Sequence, residues 1–369
     1  MKIVRVVPHL VDHCLLVRVH TDEGIVGTGE AGLWSQHRVV AAAITDLEAY
    51  FVGKDPELRE HHYQAVTRDT HFGGPVLHAA LSAIDIALWD IIGKALERPV
   101  HSLLGGACRD RVRVFANVTG DTLEAHVESA KTAVSEGYTT LRVMPFLPGW
   151  EAQTPSAYIG AAAGIVQAVR DEVGSGIDLG VELHRNFGPD ESIILAREIA
   201  PMRIHYLEDP VAPESLAALR YVSERVDIPV TAGERCSSLF AFQELLDAAP
   251  VSMIRPDLSL AGGFTQCRKI AALAEARFVG IFPHLMGSQV NLAGFVQFAA
   301  AMPNYALMEG QATILDEIVD YPLKVEGGYV TVPDRPGIGL DLHEDALDAY
   351  PFVPHSINPP LRFDGSVAH

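Results

Sequence analysis

The stretch DLGVELHRNFGPDESIILAREIAPMRIHYLEDP, residues 178–210, carries the pattern that decides the fold. Two β-rich runs, DLGVELH and IHYLEDP, flank a segment whose apolar residues have helical spacing. A strand, a helix and a second strand in this order are typical of a parallel β/α unit. The same alternation extends from residue 112 to residue 311.

Eight β-rich runs follow one another through this region. They are VRVFANV, TTLRVMPF, DLGVELH, IHYLEDP, PVTAGE, SMIRPDLS, FVGIFPHL and YALMEGQ. Eight β/α units over roughly 200 residues predict a (β/α)8 barrel. The alternative that the alternation leaves open is a doubly wound, open parallel sheet.

The segments outside this region predict a second domain. Residues 1–35 alternate in polarity as strands do, and residues 36–104 are mainly helical in spacing. We therefore expect an N-terminal α+β domain at 1–110, the barrel at 111–311, and a loop-rich segment at 312–369 that packs back on the N-terminal domain. The stretch GTGEAG, residues 27–32, matches G-x-G-x-x-G but follows the second arm of a hairpin. We expect a flexible glycine-rich loop there and not a dinucleotide site.

Composition restricts the partners. The 369 residues carry a formal net charge of −19, which argues against nucleic acid and against an anionic membrane surface as partners. No uninterrupted apolar run reaches about 18 residues, and the alternating N-terminus lacks the apolar core of a signal peptide. The four cysteines show no C-x-x-C spacing, so we expect neither a structural zinc nor disulfides, and we assign the chain to the cytoplasm.

The ends of the predicted strands carry the candidate site residues, because the active sites of β/α barrels lie at the carboxyl ends of the strands. From the third run onward, every run ends with an ionisable side chain. In chain order these are Glu182 with His184, Glu208, Glu234, Asp257, His284 and Glu309. Because Glu182 and His184 are two positions apart, we expect both on the same face of their strand.

Three successive acids, Glu182, Glu208 and Glu234, predict a metal site. Carboxylates on adjacent strand ends repel one another without a cation, and hard oxygen ligands in this number suit Mg²⁺. The alternative is that each acid caps the next helix or pairs with an arginine such as Arg235.

Asp257 and His284 end two neighbouring strands and form a second candidate group. A carboxylate in contact with an imidazole orients the ring and raises its basicity, which a general base requires. The lysines of the barrel region, Lys131 and Lys269, lie in predicted helices and not at strand ends. This placement argues against a Schiff-base mechanism.

These motifs together resemble the enolase superfamily, in its mandelate racemase subgroup. The resemblance covers nearly the whole chain and rests on ALSAIDIALWDIIGKALERPVHSLLGG, YLEDPVAPE, TAGER, RPDLSLAGGFTQ and FPH. It implies an N-terminal capping domain, completed by the C-terminal segment, over the barrel. For the site it implies Mg²⁺ ligation by Glu182, Glu208 and Glu234, a general-base dyad of Asp257 and His284, and a Glu309 that hydrogen-bonds the substrate carboxylate or enolate.

Within this subgroup, His184 matches the general acid of the acid sugar dehydratases. Two positions depart from the pattern. The first metal ligand is usually aspartate and is Glu182 here, and Arg142 and Met144 stand where a K-x-K base motif often lies. Because arginine is a poor general base, the resemblance favours dehydration over racemisation and assigns Arg142 to the substrate carboxylate or a hydroxyl.

The resemblance therefore implies a lyase, a hydro-lyase that converts an aldonic sugar acid to a 2-keto-3-deoxy acid and forms homo-oligomers. Trp34 and Phe72 are candidate substrate contacts on capping-domain loops. One rival interpretation is an epimerase or racemase that uses His184 and His284 as opposed bases. Another is a relative that binds sugar acids without turnover.

Overall fold

The computed structural model describes residues 1–310 and 315–368. Its strands are β1 Ile3–Val11, β2 Cys14–Thr21, β3 Val26–Glu30, β4 Arg111–Val118, β5 Thr140–Val143, β6 Asp178–Glu182, β7 Ile204–Glu208, β8 Val230–Ala232, β9 Met253–Ile254, β10 Gly280–Ile281, β11 Met308–Glu309, β12 Val325–Glu326 and β13 Tyr329–Thr331. Its α-helices are α1 His37–Phe51, α2 Arg59–Asp69, α3 Pro75–Ala95, α4 Val100–Leu103, α5 Leu123–Ser135, α6 Pro155–Val173, α7 Pro189–Ile199, α8 Leu216–Ser223, α9 Leu239–Ala248, α10 Gly263–Glu275 and α11 Gln289–Ala301.

Strands β4 to β11 form the barrel that the sequence predicts. From β4 to β10, consecutive strands pair in parallel, and β11 pairs in parallel with β4. The ring closes where Tyr305, just before β11, bridges to Ile281 of β10. The (β/α)8 prediction is confirmed, and the open doubly wound sheet is wrong. Each predicted run contains one of these strands, although Gln311, the last residue of the eighth run, lies outside the described residues.

Burial on both faces explains why the barrel strands are apolar throughout. Every residue of β5 is buried, because one face points into the barrel and the other is covered by helices. The antiparallel pair β12 and β13 adds to the N-terminal part of β4, where β13 pairs with residues 111–113.

The N-terminal unit is an antiparallel sheet in the order β1-β2-β3, covered by helices. Strand β3 lies directly against α3. A Cβ atom at Gly27 would come within 2.0 Å of Ala87 O, and one at Gly29 within 2.0 Å of Ala83 O. The stretch GTGEAG is therefore mostly a tightly packed strand, and the prediction of a flexible loop there is wrong.

Helix α3 is apolar on nearly all sides. Among the described helices, it is the one that is long and apolar enough to cross a membrane, but 83% of its most apolar window is buried inside the protein. It packs against β3 on one side and α10 on another. Its composition is accordingly that of a core helix between the N-terminal unit and the barrel.

The C-terminal segment packs back on the N-terminal unit, as the sequence predicts. The backbone N–H of Ile338 donates to Asp90 Oδ1 of α3 at 2.9 Å. Near the first hairpin, Asp12 N donates to Tyr350 O at 3.1 Å and Val353 N donates to Asp12 O at 2.8 Å. Segments from both ends of the chain therefore form the capping domain.

Asp85 of α3 joins the N-terminal unit to the barrel. Its carboxyl is 5% exposed and accepts hydrogen bonds from the backbone N–H and the hydroxyl of Thr265, in the first turn of α10. Burial raises the pKa of Asp85 from 3.8 to about 7, although the two hydrogen bonds from Thr265 oppose this rise. A carboxyl with a raised folded-state pKa binds protons more tightly in the folded chain than in the unfolded chain.

Asp85 should therefore make the protein less stable as the pH rises from about 4 to about 7. We expect the stability difference between the wild type and D85N to change by about 2–4 kcal/mol between about pH 5 and about pH 8, in favour of the wild type at the lower pH. Urea unfolding at both pH values measures this difference. An identical difference at the two pH values would contradict the assignment.

Candidate active site

Glu182 and Glu208 lie side by side at the carboxyl end of the barrel. They are paired residues at the ends of the parallel strands β6 and β7, and they are 2% and 0% exposed. Glu234 follows β8 by two residues, and Glu309 ends β11. The structure thus brings the four glutamates predicted from strand ends to one end of the barrel.

The guanidinium of Arg142 lies among three of these acids. Its Nη1 atom is 2.8 Å from Glu182 Oε2, 2.9 Å from Glu208 Oε1 and 3.2 Å from Glu309 Oε1. Its Nε donates to Asn117 Oδ1 at 2.8 Å, so both edges of the guanidinium are engaged. The resemblance assigned Arg142 to a substrate group, whereas in the structure its observed partners are Asn117 and the protein's own carboxylates.

Arg255 is a second site arginine, which the sequence reasoning missed. It is fully buried, and its Nη1 lies 2.9 Å from Glu208 Oε1. Its Nη2 hydrogen-bonds to Glu309 and lies 3.7 Å from Glu234 Oε2. Arg255 directly follows β9, in the predicted run SMIRPDLS, but its role depends on contacts with acids from distant segments.

Arginine pairing of the strand-end acids, which the sequence left open as the alternative to a metal site, is therefore present, but not through Arg235. Arg235 pairs with Glu214, at 3.3 Å, on the outside of the site. Arg142 and Arg255 pair with the strand-end acids instead. Each guanidinium also lies over an aromatic ring, Phe115 for Arg142 and Phe282 for Arg255, with 4.5 Å from the guanidinium carbon to the ring centroid.

The arginines and histidines set the charge of the acids. Burial opposes ionisation of Glu309, but Arg142 and Arg255 outweigh it and lower the pKa of this carboxyl. Burial likewise opposes ionisation of Glu234, where His284 and Arg255 lower the pKa to about 2. At Glu182, burial together with the neighbouring carboxyl of Glu208 raises the pKa.

Asp257 and His284 form the hydrogen-bonded pair that the sequence predicts. The Nδ1 atom of His284 lies 2.8 Å from Asp257 Oδ2, and its Nε2 lies 3.9 Å from Glu234 Oε2. Ser259 donates to the other carboxylate oxygen, Asp257 Oδ1, through its N–H and its hydroxyl. Burial favours the neutral ring, but the hydrogen bond to Asp257 and the nearby carboxylates raise the pKa of His284 to about 9.

His184 lies just beyond the end of its strand. Strand β6 ends at Glu182, and the backbone at His184 and Arg185 has φ values of 46° and 66°, in the left-handed region. A tight turn, and not strand alternation, therefore positions His184. Such backbone is strained for residues with a Cβ atom and is concentrated at functional sites. The positive charges of both His184 and His284 favour the ionised form of Glu234, and of the two imidazoles it is that of His284 that lies 3.9 Å from its carboxylate.

Two carboxylate oxygens of the site suit a metal ion. Glu182 Oε1 and Glu208 Oε2 are buried and receive no hydrogen bond from the described residues. Bare oxygens of this kind are what a hard cation binds. In the chain as described, no three acidic, histidine or cysteine side chains converge to hold an ion, since Glu234 lies towards Arg255 and His284. The donor chemistry fits a cation at Glu182 and Glu208, and ligation by Glu234 stays a prediction.

The two predicted aromatic contacts lie on the N-terminal unit. The ring of Trp34 packs against His13 and His37, at centroid distances of 6.1 and 6.2 Å. Trp34 follows Gly32, whose N–H donates to Ser259 O, so its loop is adjacent to the dyad. Phe72 is 82% exposed and its ring contact is with His71. The roles of Trp34 and Phe72 in substrate binding stay predictions.

Comparisons with known proteins agree with this geometry. The Mandelate racemase / muconate lactonizing enzyme N-terminal domain model matches residues 10–105, and the Enolase C-terminal domain-like model matches residues 125–346. D-galactonate dehydratases from Ralstonia pickettii and Xanthomonas oryzae are 34% and 35% identical to the chain, each over 100% of both sequences.

Solved structures give the same result. A member of the enolase superfamily from Salmonella Typhimurium has a TM-score of 0.89 and 30% identity, over 95% of this chain and 99% of its own. An enolase from Agrobacterium radiobacter, bound to Na and L-malate, has a TM-score of 0.93 and 28% identity over 100% of both chains. The predicted family and the prediction of an enzyme are confirmed, and the chain belongs to the enolase superfamily, in its mandelate racemase and muconate lactonizing enzyme family.

Proposed function

We propose that the chain is an acid sugar dehydratase that removes the C2 proton and the 3-hydroxyl of an aldonic acid. The observation that carries the proposal is the hydrogen-bonded His284–Asp257 pair at the acidic end of the barrel, where His184 follows the neighbouring metal-ligand candidate Glu182 by two residues. One imidazole can then accept a proton while the other donates one. Relatives named D-galactonate dehydratase, which span the whole chain, support the same reaction class.

The proposed reaction assigns one proton to each histidine. His284 takes the C2 proton in its neutral form. It does so at Nε2, because its Nδ1 is held by Asp257, and Asp257 stabilises the imidazolium that forms. His184 gives its proton to the departing 3-hydroxyl, which leaves as water. The enol that remains tautomerises to a 2-keto-3-deoxy acid. Arg142 and Arg255 hold the surrounding glutamates in place and favour the ionised form of Glu309.

The proposed cation is Mg²⁺, held by Glu182, Glu208 and Glu234. When bound, it would stabilise the negative charge that develops on the substrate carboxylate as the C2 proton leaves. We also propose that the domains span 1–110, 111–311 and 312–369, and that the protein is a cytoplasmic homo-oligomer. The substrate would contact Arg142, Glu309, Trp34 and Phe72.

A substrate screen tests the reaction class. The purified protein with Mg²⁺ is incubated with a library of aldonic and aldaric acids, starting with D-galactonate, and 2-keto-3-deoxy products are detected by semicarbazide absorbance. We expect keto-acid product from at least one aldonic acid. A blank across the library, with the protein folded and supplied with metal, would overturn the dehydratase proposal.

Exchange of the C2 proton with solvent deuterium distinguishes the roles of the two histidines. With the substrate found by the screen, H284N should lose both turnover and C2 deuterium incorporation, with a fall of about 10²–10⁴-fold. H184N should lose turnover to a similar extent but still exchange the C2 proton, because its base is intact. NMR of the recovered substrate measures this exchange. Deuterium at C2 in the wild type without keto acid would support the rival epimerase, and near-full activity of H284N would refute the assignment of the base.

The cation site is tested by calorimetry without substrate. We expect E208Q to weaken Mg²⁺ binding by about tenfold or more, because it removes a charged, buried ligand. E214Q makes the same substitution at an acid that pairs with Arg235 outside the site, so it should bind Mg²⁺ as the wild type does. Equal binding by both variants would exclude Glu208 as a ligand.

A further inference from the structure

We propose that Glu30, a buried carboxylate of the N-terminal unit, is a positioning residue for the base dyad. It fixes the loop that carries His284, and through Asn291 and Ser259 it fixes the carboxylate of Asp257. The inference rests on the proposed function only in taking His284 and Asp257 as the base.

Glu30 anchors the beginning of α11. It ends strand β3 and is 1% exposed. The N–H of Ser288 donates to Oε1 at 3.0 Å and to Oε2 at 3.2 Å, and Oε2 also accepts from Ser288 Oγ at 2.7 Å and Asn291 N at 3.1 Å. These donors include free N–H groups at the beginning of the helix, where a negative charge also complements the helix dipole. Burial raises the pKa of Glu30 to about 7, with the donors of Ser288 and Asn291 acting against it.

The loop from His284 to Ser288 is held close to Glu30. A Cβ atom at Gly287 would lie 2.2 Å from Glu30 Oε1, and Gly287 has a φ of 132°. Only a glycine therefore lets the backbone pass this close to the carboxylate. Because Gly287 is only three positions after His284 along the chain, a shift of Glu30 moves the loop that sets the direction of the imidazole.

A second path leads from the same anchor to Asp257. Asn291, whose backbone donates to Glu30, donates through Nδ2 to Met286 O at 2.6 Å and to Ser259 Oγ at 3.3 Å. Ser259 in turn donates to Asp257 Oδ1 at 2.8 Å from its N–H and at 2.5 Å from its hydroxyl. Both members of the dyad are thus connected to one carboxylate that touches neither of them.

The connection couples the N-terminal unit to the chemistry. Proton abstraction depends on the position of the base to a fraction of an ångström, and a misplacement of about 1 Å can cost about 10²-fold in rate. Glu30 comes from the unit that covers the barrel, and the dyad belongs to the barrel. Docking of this unit therefore aligns the base as well as covering the site.

Asp85 supplies a matched control. It is also a buried carboxylate of the N-terminal unit, and it accepts from a backbone N–H and a hydroxyl in the first turn of a barrel helix, those of Thr265. A glycine also passes close to it, since a Cβ atom at Gly263 would lie 2.3 Å from Asp85 Oδ2. The hydroxyl of Thr265 accepts from Trp89 Nε1 and is not part of the dyad network.

The test compares E30Q with D85N in the full chain. We expect both variants to unfold at lower urea concentration than the wild type. Only E30Q should lower kcat, by about tenfold or more, with KM within about threefold, because substrate binding does not need the base to be aligned. In hydrogen exchange followed by mass spectrometry, E30Q should speed exchange in residues 284–291 and D85N should not. Equal loss of kcat in both variants, or unchanged exchange at 284–291 in E30Q, would overturn the proposal.

S259A tests the path to Asp257 if E30Q does not fold. It removes the hydroxyl that joins Asn291 to Asp257 and leaves in place the hydrogen bonds from Ser288 and Asn291 N to Glu30. We expect kcat to fall about tenfold to hundredfold, which corresponds to loss of one hydrogen bond to a charged group, while exchange at 284–291 stays as in the wild type. Full kcat in S259A would contradict this path.

If the wild-type chain turns over no sugar acid, the proposed function fails, and the exchange measurement still decides whether Glu30 anchors the loop.

Discussion

Four glutamates share two buried guanidinium groups, and the active end of the barrel depends on this constraint. Parallel strands that end together bring their last side chains together, so a fold with an acid at each strand end concentrates negative charge. Arg142 and Arg255 lie within this cluster, where each contacts at least two of the acids and an aromatic ring. A buried guanidinium is itself costly unless it is paired, so the acids and the arginines stabilise one another.

This charge balance determines what each acid can do. Glu309 and Glu234 are held ionised by cations beside them, whereas Glu182, next to Glu208, is pushed towards its neutral form. Of the four glutamates, Glu182 and Glu208 keep a buried oxygen that accepts no hydrogen bond from the described residues. The cluster therefore has two sides. The bare oxygens of Glu182 and Glu208 suit a cation, whereas the ionised Glu234 and Glu309 lie on the side of the His284 imidazole.

The sequence predicts the fold and the strand-end residues because both follow from local periodicity. A β-rich run is recognisable in one chain segment, and the last polar residue of the run falls at the same end of the barrel every time. Arg255 and Glu30 were missed because their importance lies in contacts between distant segments. The position of His184 was predicted from strand alternation, but the strand stops at Glu182, and the left-handed turn that follows leaves no clear signal in residues that are not glycine.

The stretch GTGEAG shows how a tertiary constraint can imitate a known motif. Gly27 and Gly29 share one face of β3 and let that strand lie against the backbone of α3. Gly32 follows, and a Cβ atom there would lie 2.1 Å from Ser259 Oγ and 3.1 Å from Asp257 Oδ1. The glycine spacing that resembles a phosphate-binding loop therefore arises from strand alternation and from close approach to the dyad. Glu30 lies between Gly29 and Gly32, at the end of this closely packed strand. It therefore lies within hydrogen-bond distance of Ser288, at the end of the loop that carries His284.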